Sequence, residues 1–140
     1  MIFDQTFYKS SLDMAIYKLD RKVSYKPAEL EFKSPKVGDR VYVLGYPLGL
    51  PLKLSDDSLV THSRVLKNSF RHELDTFSVN SGSPIFNSNN KIVGVHVRGT
   101  GVNYKKFGKE CNDWGQGESG KDFGEANEIL ALKKIYQNLK

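Results

Sequence analysis

The sequence is poor in the features that would place it in several large classes. Its single cysteine, Cys111, excludes an intrachain disulfide. In an exported protein a leftover cysteine points to a partner elsewhere, and a free thiol is equally allowed. No stretch is long and apolar enough to span a membrane, and Asp4, Lys9 and Asp13 interrupt the first residues, which excludes an uninterrupted signal-peptide core. Repeats, low-complexity tracts and long basic runs are absent. Twenty-one basic and sixteen acidic residues leave a net charge of +5, which reads as a mixed solvated surface and not as a nucleic-acid footprint. What is there is 140 residues with 39% hydrophobic and 26% charged content, ordinary values for a globular chain and enough for one domain with a real core.

The punctuation of the chain predicts short strands. Met14 to Leu19 reads as a strand ending at Asp20-Arg21, and Val23 to Pro35, with two prolines and alternating charges, reads as a connecting segment. Val37-Gly38-Asp39-Arg40 is a turn feeding the strand Val41-Tyr42-Val43-Leu44-Gly45, rich in β-branched and aromatic residues. Tyr46-Pro47-Leu48-Gly49-Leu50-Pro51 breaks that strand, because proline cannot donate to a ladder. One or two more strands are expected in Leu52 to Leu66, and a long surface loop in Gly99 to Gly124. From Glu125 to Lys140, Ile129, Leu132, Tyr136 and Leu139 fall at helical spacing. Acidic residues come first and lysines last, an order that suits a helix dipole. Several strands followed by one terminal helix argue for a β-barrel or sandwich with a C-terminal helix.

The chemistry concentrates in Asn80-Ser81-Gly82-Ser83-Pro84. A serine hydroxyl is a poor nucleophile until a base takes its proton, an acid orients that base, and donors await the oxyanion. Gly82 permits a tight turn that would expose the Ser81 hydroxyl and aim its amide at a carbonyl. Such a string alone is also what an ordinary loop contains.

The strand, turn and strand that follow, ending in Val93-Gly94-Val95-His96, set the string in context. Together with Asp13-Met14-Ala15-Ile16, Val37-Gly38-Asp39-Arg40-Val41 and Gly45-Tyr46-Pro47, in this order and spacing, the chain resembles the chymotrypsin-fold serine peptidases, in particular the bacterial branch with the glutamyl endopeptidases. The match runs from Leu12 to about Gly99. The resemblance implies an all-β chain: the antiparallel second barrel of the double-barrel fold, the last strand of the first barrel, and a C-terminal helix. Residues 1–20 would be the remnant of barrel one, 21–36 the linker, 37–124 barrel two and 125–140 the helix. It implies Ser81 as nucleophile, Asp13 as triad acid, and the amides of Val79 and Ser81 as oxyanion hole. His96, Val97 and Gly99 would line the substrate cleft, with Asp75 and Thr76 near the specificity pocket. It implies a polypeptide substrate, a secreted or periplasmic location, and no cofactor, metal, nucleic acid or membrane partner. Asp13 as a strand-end turn residue, His96 as a packed strand histidine and Asp75 as a structural residue stay open beside these roles.

Two departures stand out. The family nearly always has glycine where Val79 stands. The family's catalytic histidine precedes the acid, yet none of the twelve residues before Asp13 is histidine; the three in the chain are His62, His72 and His96. Three readings follow: the C-terminal portion of a serine endopeptidase, a non-catalytic homologue serving as a binding module, and a split enzyme completed by another chain. A strand cut off from barrel one also predicts self-association or a partner barrel. Pocket specificity divides between Asp75, six residues before Ser81, which suits a basic substrate residue, and His96, which suits an acidic one. The His96 choice requires Asp75 to point away.

Overall fold

The protein is described here by a computed structural model, which describes residues 12–17, 19–100, 105–107, 111–113 and 120–138. Among these residues there are eight strands: β1 (Arg40–Gly45), β2 (Lys53–Arg64), β3 (Ser69–His72), β4 (Pro84–Asn87), β5 (Ile92–Gly99), β6 (Lys105–Phe107), β7 (Cys111–Asp113) and β8 (Gly124–Glu128). Six of them close a barrel in the order β1-β2-β3-β8-β5-β4, and every pairing is antiparallel. Closure removes the exposed edges that an open sheet of this size would present. The pairs β1–β2, β2–β3, β4–β5 and β5–β8 each carry a register shift, and such bulges bend strands around a small barrel.

The alternation seen in β1 is the alternation of burial. Val41 and Val43 point into the barrel with Val60, Phe70, Leu74, Ile85, Val93 and Ala126. Phe70 fills the centre, and the space for it comes from Gly94: a Cβ there would stand 2.6 Å from the Phe70 ring and 2.8 Å from the Asn127 carbonyl. A side chain at this position therefore competes with the largest core residue.

Three expectations need correction. Glu125 to Glu128 are not the start of a helix but the last four of the five residues of β8, held between β3 and β5. Their carboxylates looked like helix N-terminal charges, whereas they are buried acceptors inside a strand whose two neighbours supply ladder bonds. Helical spacing begins only at Ile129: a 3-10 turn spans Ile129–Leu132 and α1 spans Lys133–Asn138. Ile129 and Leu132 of the expected stripe are buried and Tyr136 packs its ring 5.4 Å from Phe32, while Leu139 lies outside the described residues. Second, Met14 to Leu19 forms no ladder among the described residues. Leu12, Met14 and Ile16 are half-buried and Asp13, Ala15 and Tyr17 exposed, so the period of a strand is present without a neighbouring strand to pair with. Third, the segment from Gly99 to Gly124 is not all loop, because β6 and β7 pair within it.

The connecting segment lies against the barrel. Glu31 donates its amide to the Ile92 carbonyl and Ile92 returns a bond to the Glu29 carbonyl, both at 2.8 Å. No helix among the described residues is long and apolar enough to cross a membrane.

Replacing Phe70 by alanine should empty the barrel centre and cost about 3–5 kcal/mol of unfolding free energy in urea titrations. A loss below 1 kcal/mol would mean that the barrel core is not built around this ring.

Candidate active site

Ser81 stands at an exposed turn between a stitched loop and β4. Residues 73 to 76 are held by side chains: Glu73 and Asp75 donate their amides to Ser58 Oγ and Ser55 Oγ on β2, at 3.0 and 2.9 Å. Thr76 Oγ1 donates to the Leu74 carbonyl, and the Leu48 amide bonds the Ser78 carbonyl at 3.0 Å. The turn itself closes with Ser83 N–H on the Asn80 carbonyl and is locked to β5 by Gly82 N–H on the His96 carbonyl (2.8 Å) and His96 N–H on the Ser83 carbonyl (2.9 Å). Asn80 is buried against β1, where Gly45 leaves the space; a Cβ on Gly45 would collide with the Asn80 side chain and Ser83 Oγ. Asn80 Oδ1 has no hydrogen-bond partner among the described residues.

Two consequences matter for chemistry. First, neither the Val79 nor the Ser81 amide donates to an acceptor among the described residues, while both lie at exposed positions. Two free N–H groups beside a serine hydroxyl are the donors an oxyanion site requires. Second, Val79 has φ 75° and is 70% exposed. Positive φ is a costly conformation for a β-branched residue, and no packing compensates it. The departure from glycine read in the sequence is therefore a strained position in the turn.

The Ser81 hydroxyl donates to the Val97 carbonyl at 3.2 Å. None of the chain's three histidines serves it. His62 is exposed on β2 beside Thr61 Oγ1, and His72 and His96 are buried side by side in the barrel. Asp13 is exposed, and its amide donates to Asn127 Oδ1 at 2.7 Å. Asn127 pairs with Val95, two residues before Val97, so Asp13 and Ser81 are both tied to the β5–β8 pair. Asp75 is exposed, Thr76 half-buried, and Val97 and Gly99 lie on the outer half of β5.

The sequence reading missed the partner of His96. His72 Nε2 and His96 Nδ1 are 3.3 Å apart, and the Leu74 amide donates to His72 Nδ1 at 3.3 Å. The backbone amide fixes the tautomers. His72 Nδ1 accepts, so its proton sits on Nε2 and is donated to His96 Nδ1; the His96 proton is then on Nε2. No group among the described residues bonds His96 Nε2, which leaves one donor at the end of the relay. Burial, and then the neighbouring His96, push His72 down to about 3; burial pushes His96 down to about 4. Both rings are neutral at neutral pH. Gly124 makes the arrangement possible, because any Cβ there would overlap the His72 ring. The available signal was the glycine opposite His72 in the β3–β8 register, which only the paired strands reveal.

Residues 4–95 match the family model described as a trypsin-like peptidase domain. The glutamyl endopeptidase of Staphylococcus epidermidis, including that of strains ATCC 12228 and ATCC 35984, is 31% identical over 80 residues, which is 56% of this chain and 28% of that protein. The chain thus spans little more than a quarter of the length of these curated relatives. Among solved structures, kallikrein-related peptidase 10 superposes with a TM-score of 0.60 at 13% identity, covering 86% of this chain and 61% of that one, a likeness of fold. The closed antiparallel barrel agrees with one barrel of the chymotrypsin-like fold. With two thirds of its length inside the family match, the chain belongs to the trypsin-like peptidase domain family.

Proposed function

We propose that this chain is the C-terminal portion of an exported serine endopeptidase that cleaves after acidic residues. In this reading Ser81 Oγ attacks the scissile carbonyl, and the amides of Val79 and Ser81 receive the oxyanion. Asp13 orients a histidine supplied by polypeptide outside these 140 residues; that histidine takes the Ser81 proton and passes it to the leaving amine. Water then hydrolyses the acyl-enzyme by the same route in reverse. The outer half of β5 from Val97 to Gly99 offers backbone groups to an extended substrate, since pairing with β4 ends at Val95.

The observation that carries the acidic preference is the relay ending at His96 Nε2–H. A substrate carboxylate entering a low-dielectric pocket needs a donor, and a neutral imidazole carrying its proton on Nε2 supplies one without burying a second charge. The exposure of Asp75 agrees with this choice, because a carboxylate at a closed pocket floor would repel the substrate side chain.

A second reading, a non-catalytic homologue that binds polypeptides, is favoured by the strained Val79 and by the absence of a base among His62, His72 and His96. Matched Glu and Arg peptide substrates separate the two. The 140-residue chain alone should show no turnover. The same chain extended by the polypeptide encoded upstream should cleave after Glu, with turnover abolished by Ser81→Ala and reduced about 10⁴-fold by Asp13→Asn. Turnover that survives Ser81→Ala, or no turnover from the extended protein, would overturn the peptidase reading. Arg preference lost in Asp75→Asn would overturn the assignment of His96.

Val79→Gly should stabilise the chain. Removing the strained φ gains about 1–3 kcal/mol, and the greater freedom of glycine in the unfolded state returns about 0.4–1. A net gain of about 1 kcal/mol is expected in urea denaturation; a loss of stability would show that the turn carries no strain at this position.

A further inference from the structure

Outside the serine turn, one cluster has more charge than its structural role requires. Glu125, the second residue of β8, is in direct register with Arg71 on β3 and Arg98 on β5. Its side chain is 3% exposed. Oε1 accepts from Arg98 Nη2 and Ser69 Oγ, each at 3.0 Å; Oε2 accepts from Arg64 Nη1 at 3.5 Å and faces Arg71 Nε at 3.7 Å. Burial pushes the Glu125 carboxyl up, but bonds from Arg98 and Ser69 and the charges of Arg98 and Arg64 outweigh it and hold the carboxyl below its ordinary range. The glutamate is ionised. One guanidinium would neutralise it, and there are three. Among the described residues these arginines form no ion pair with any other carboxylate, so the cluster carries a surplus of two positive charges.

The surplus is directed outward. Arg98 is 66% exposed in its side chain, and each guanidinium has five N–H donors of which Glu125 takes few. Arg71 is held 3.7 Å over the Phe123 ring, and its buried Nε has no hydrogen-bond partner among the described residues. Glu125 and Phe123 thus hold the guanidiniums in fixed places, so a ligand need not order them. Arg98 directly follows Val97, whose carbonyl receives the Ser81 hydroxyl. An extended peptide laid along the outer half of β5 passes Arg98 within a residue or two of the position served by His96.

We infer that Arg98, supported by Arg64 and Arg71 around Glu125, is a second carboxylate-binding subsite, which selects polypeptides carrying acidic residues beside the one held at His96. The inference rests on the polypeptide-binding reading of the cleft, not on turnover. It takes guanidinium-to-carboxylate recognition for its chemistry, with the geometry suited to paired N–H···O bonds.

Binding tests it directly. Two fluorescein-labelled peptides share a fixed Glu followed by two alanines; in one the three preceding residues are Glu, in the other Gln. Anisotropy titration of the 140-residue protein at low salt should give at least tenfold tighter binding of the Glu peptide. The ratio should shrink at 0.5 M salt and fall below twofold in Arg98→Gln. Arg64→Gln, on a different strand, should reduce it partially, with thermal melts reporting whether either variant folds. Equal affinity for the two peptides, including no binding of either, overturns the inference. So does a preference that persists in folded Arg98→Gln. Equal displacement by a single-stranded oligonucleotide of matched charge would show a general anion patch and overturn it as well. Failure of the peptidase reading appears separately, as a retained Glu preference in a protein without Ser81-dependent turnover.

Discussion

Inside a barrel of six short strands, two neutral imidazoles are joined end to end, and a backbone amide at Leu74 decides where their protons sit. Much of the site is arranged around that relay. Gly124 has no side chain because the His72 ring occupies the space, and β8 can run past β3 only with that glycine there. His96 carries the backbone that locks the serine turn through Gly82 and Ser83, while its ring points into the barrel. The strand that holds the candidate nucleophile in position is therefore the strand that presents the candidate specificity donor. The arrangement has a cost in acid. With His72 near 3 and His96 near 4 in the folded chain, and about 6.5 when unfolded, the unfolded state binds more protons between these values. The stability that neutral burial preserves is complete above pH 6.5 and is lost as pH falls toward about 4 for His96 and about 3 for His72, at up to about 1.4 kcal/mol per pH unit for each ring.

Polar burial recurs at β8, and it explains why this strand looked like a helix. Glu125, Asn127 and Glu128 are buried on a strand with only five residues, and each has its own answer to burial. Glu125 is paired with arginines, and Asn127 receives the Asp13 amide. The Glu128 carboxyl is pushed up by burial, against a hydrogen bond from Ser34 at 2.6 Å. Through Asn127 and Glu128 the strand fastens two parts of the N-terminal segment to the barrel. Buried polar groups are expensive unless satisfied, so such contacts set a specific docking position for the segment.

The legible parts of the sequence were those governed by local rules. Alternating valines marked β1, prolines marked its end, and the Asn80 to Pro84 string marked the exposed serine. Val79 was readable as an anomaly because the resembled family nearly always has glycine there, and its φ of 75°, a conformation that favours glycine, is where that anomaly lives. Features set by register were not legible. Nothing local says that His72 will face His96, or that Arg71, Glu125 and Arg98 will line up across three strands. Glu125 and Glu128 misled for the same reason: acidic residues before an apolar stripe fit a helix start, and only the barrel's long-range pairing overrides that preference. Met14 and Ile16 show the converse, a strand period with no strand beside it among the described residues.

The relay is tested most directly by ¹⁵N NMR of the histidine rings between pH 8 and 4. The account predicts that His72 and His96 both hold their proton on Nε2 and that both stay neutral down to about pH 5. A His96 proton on Nδ1, or protonation of either buried ring above pH 6, would contradict it.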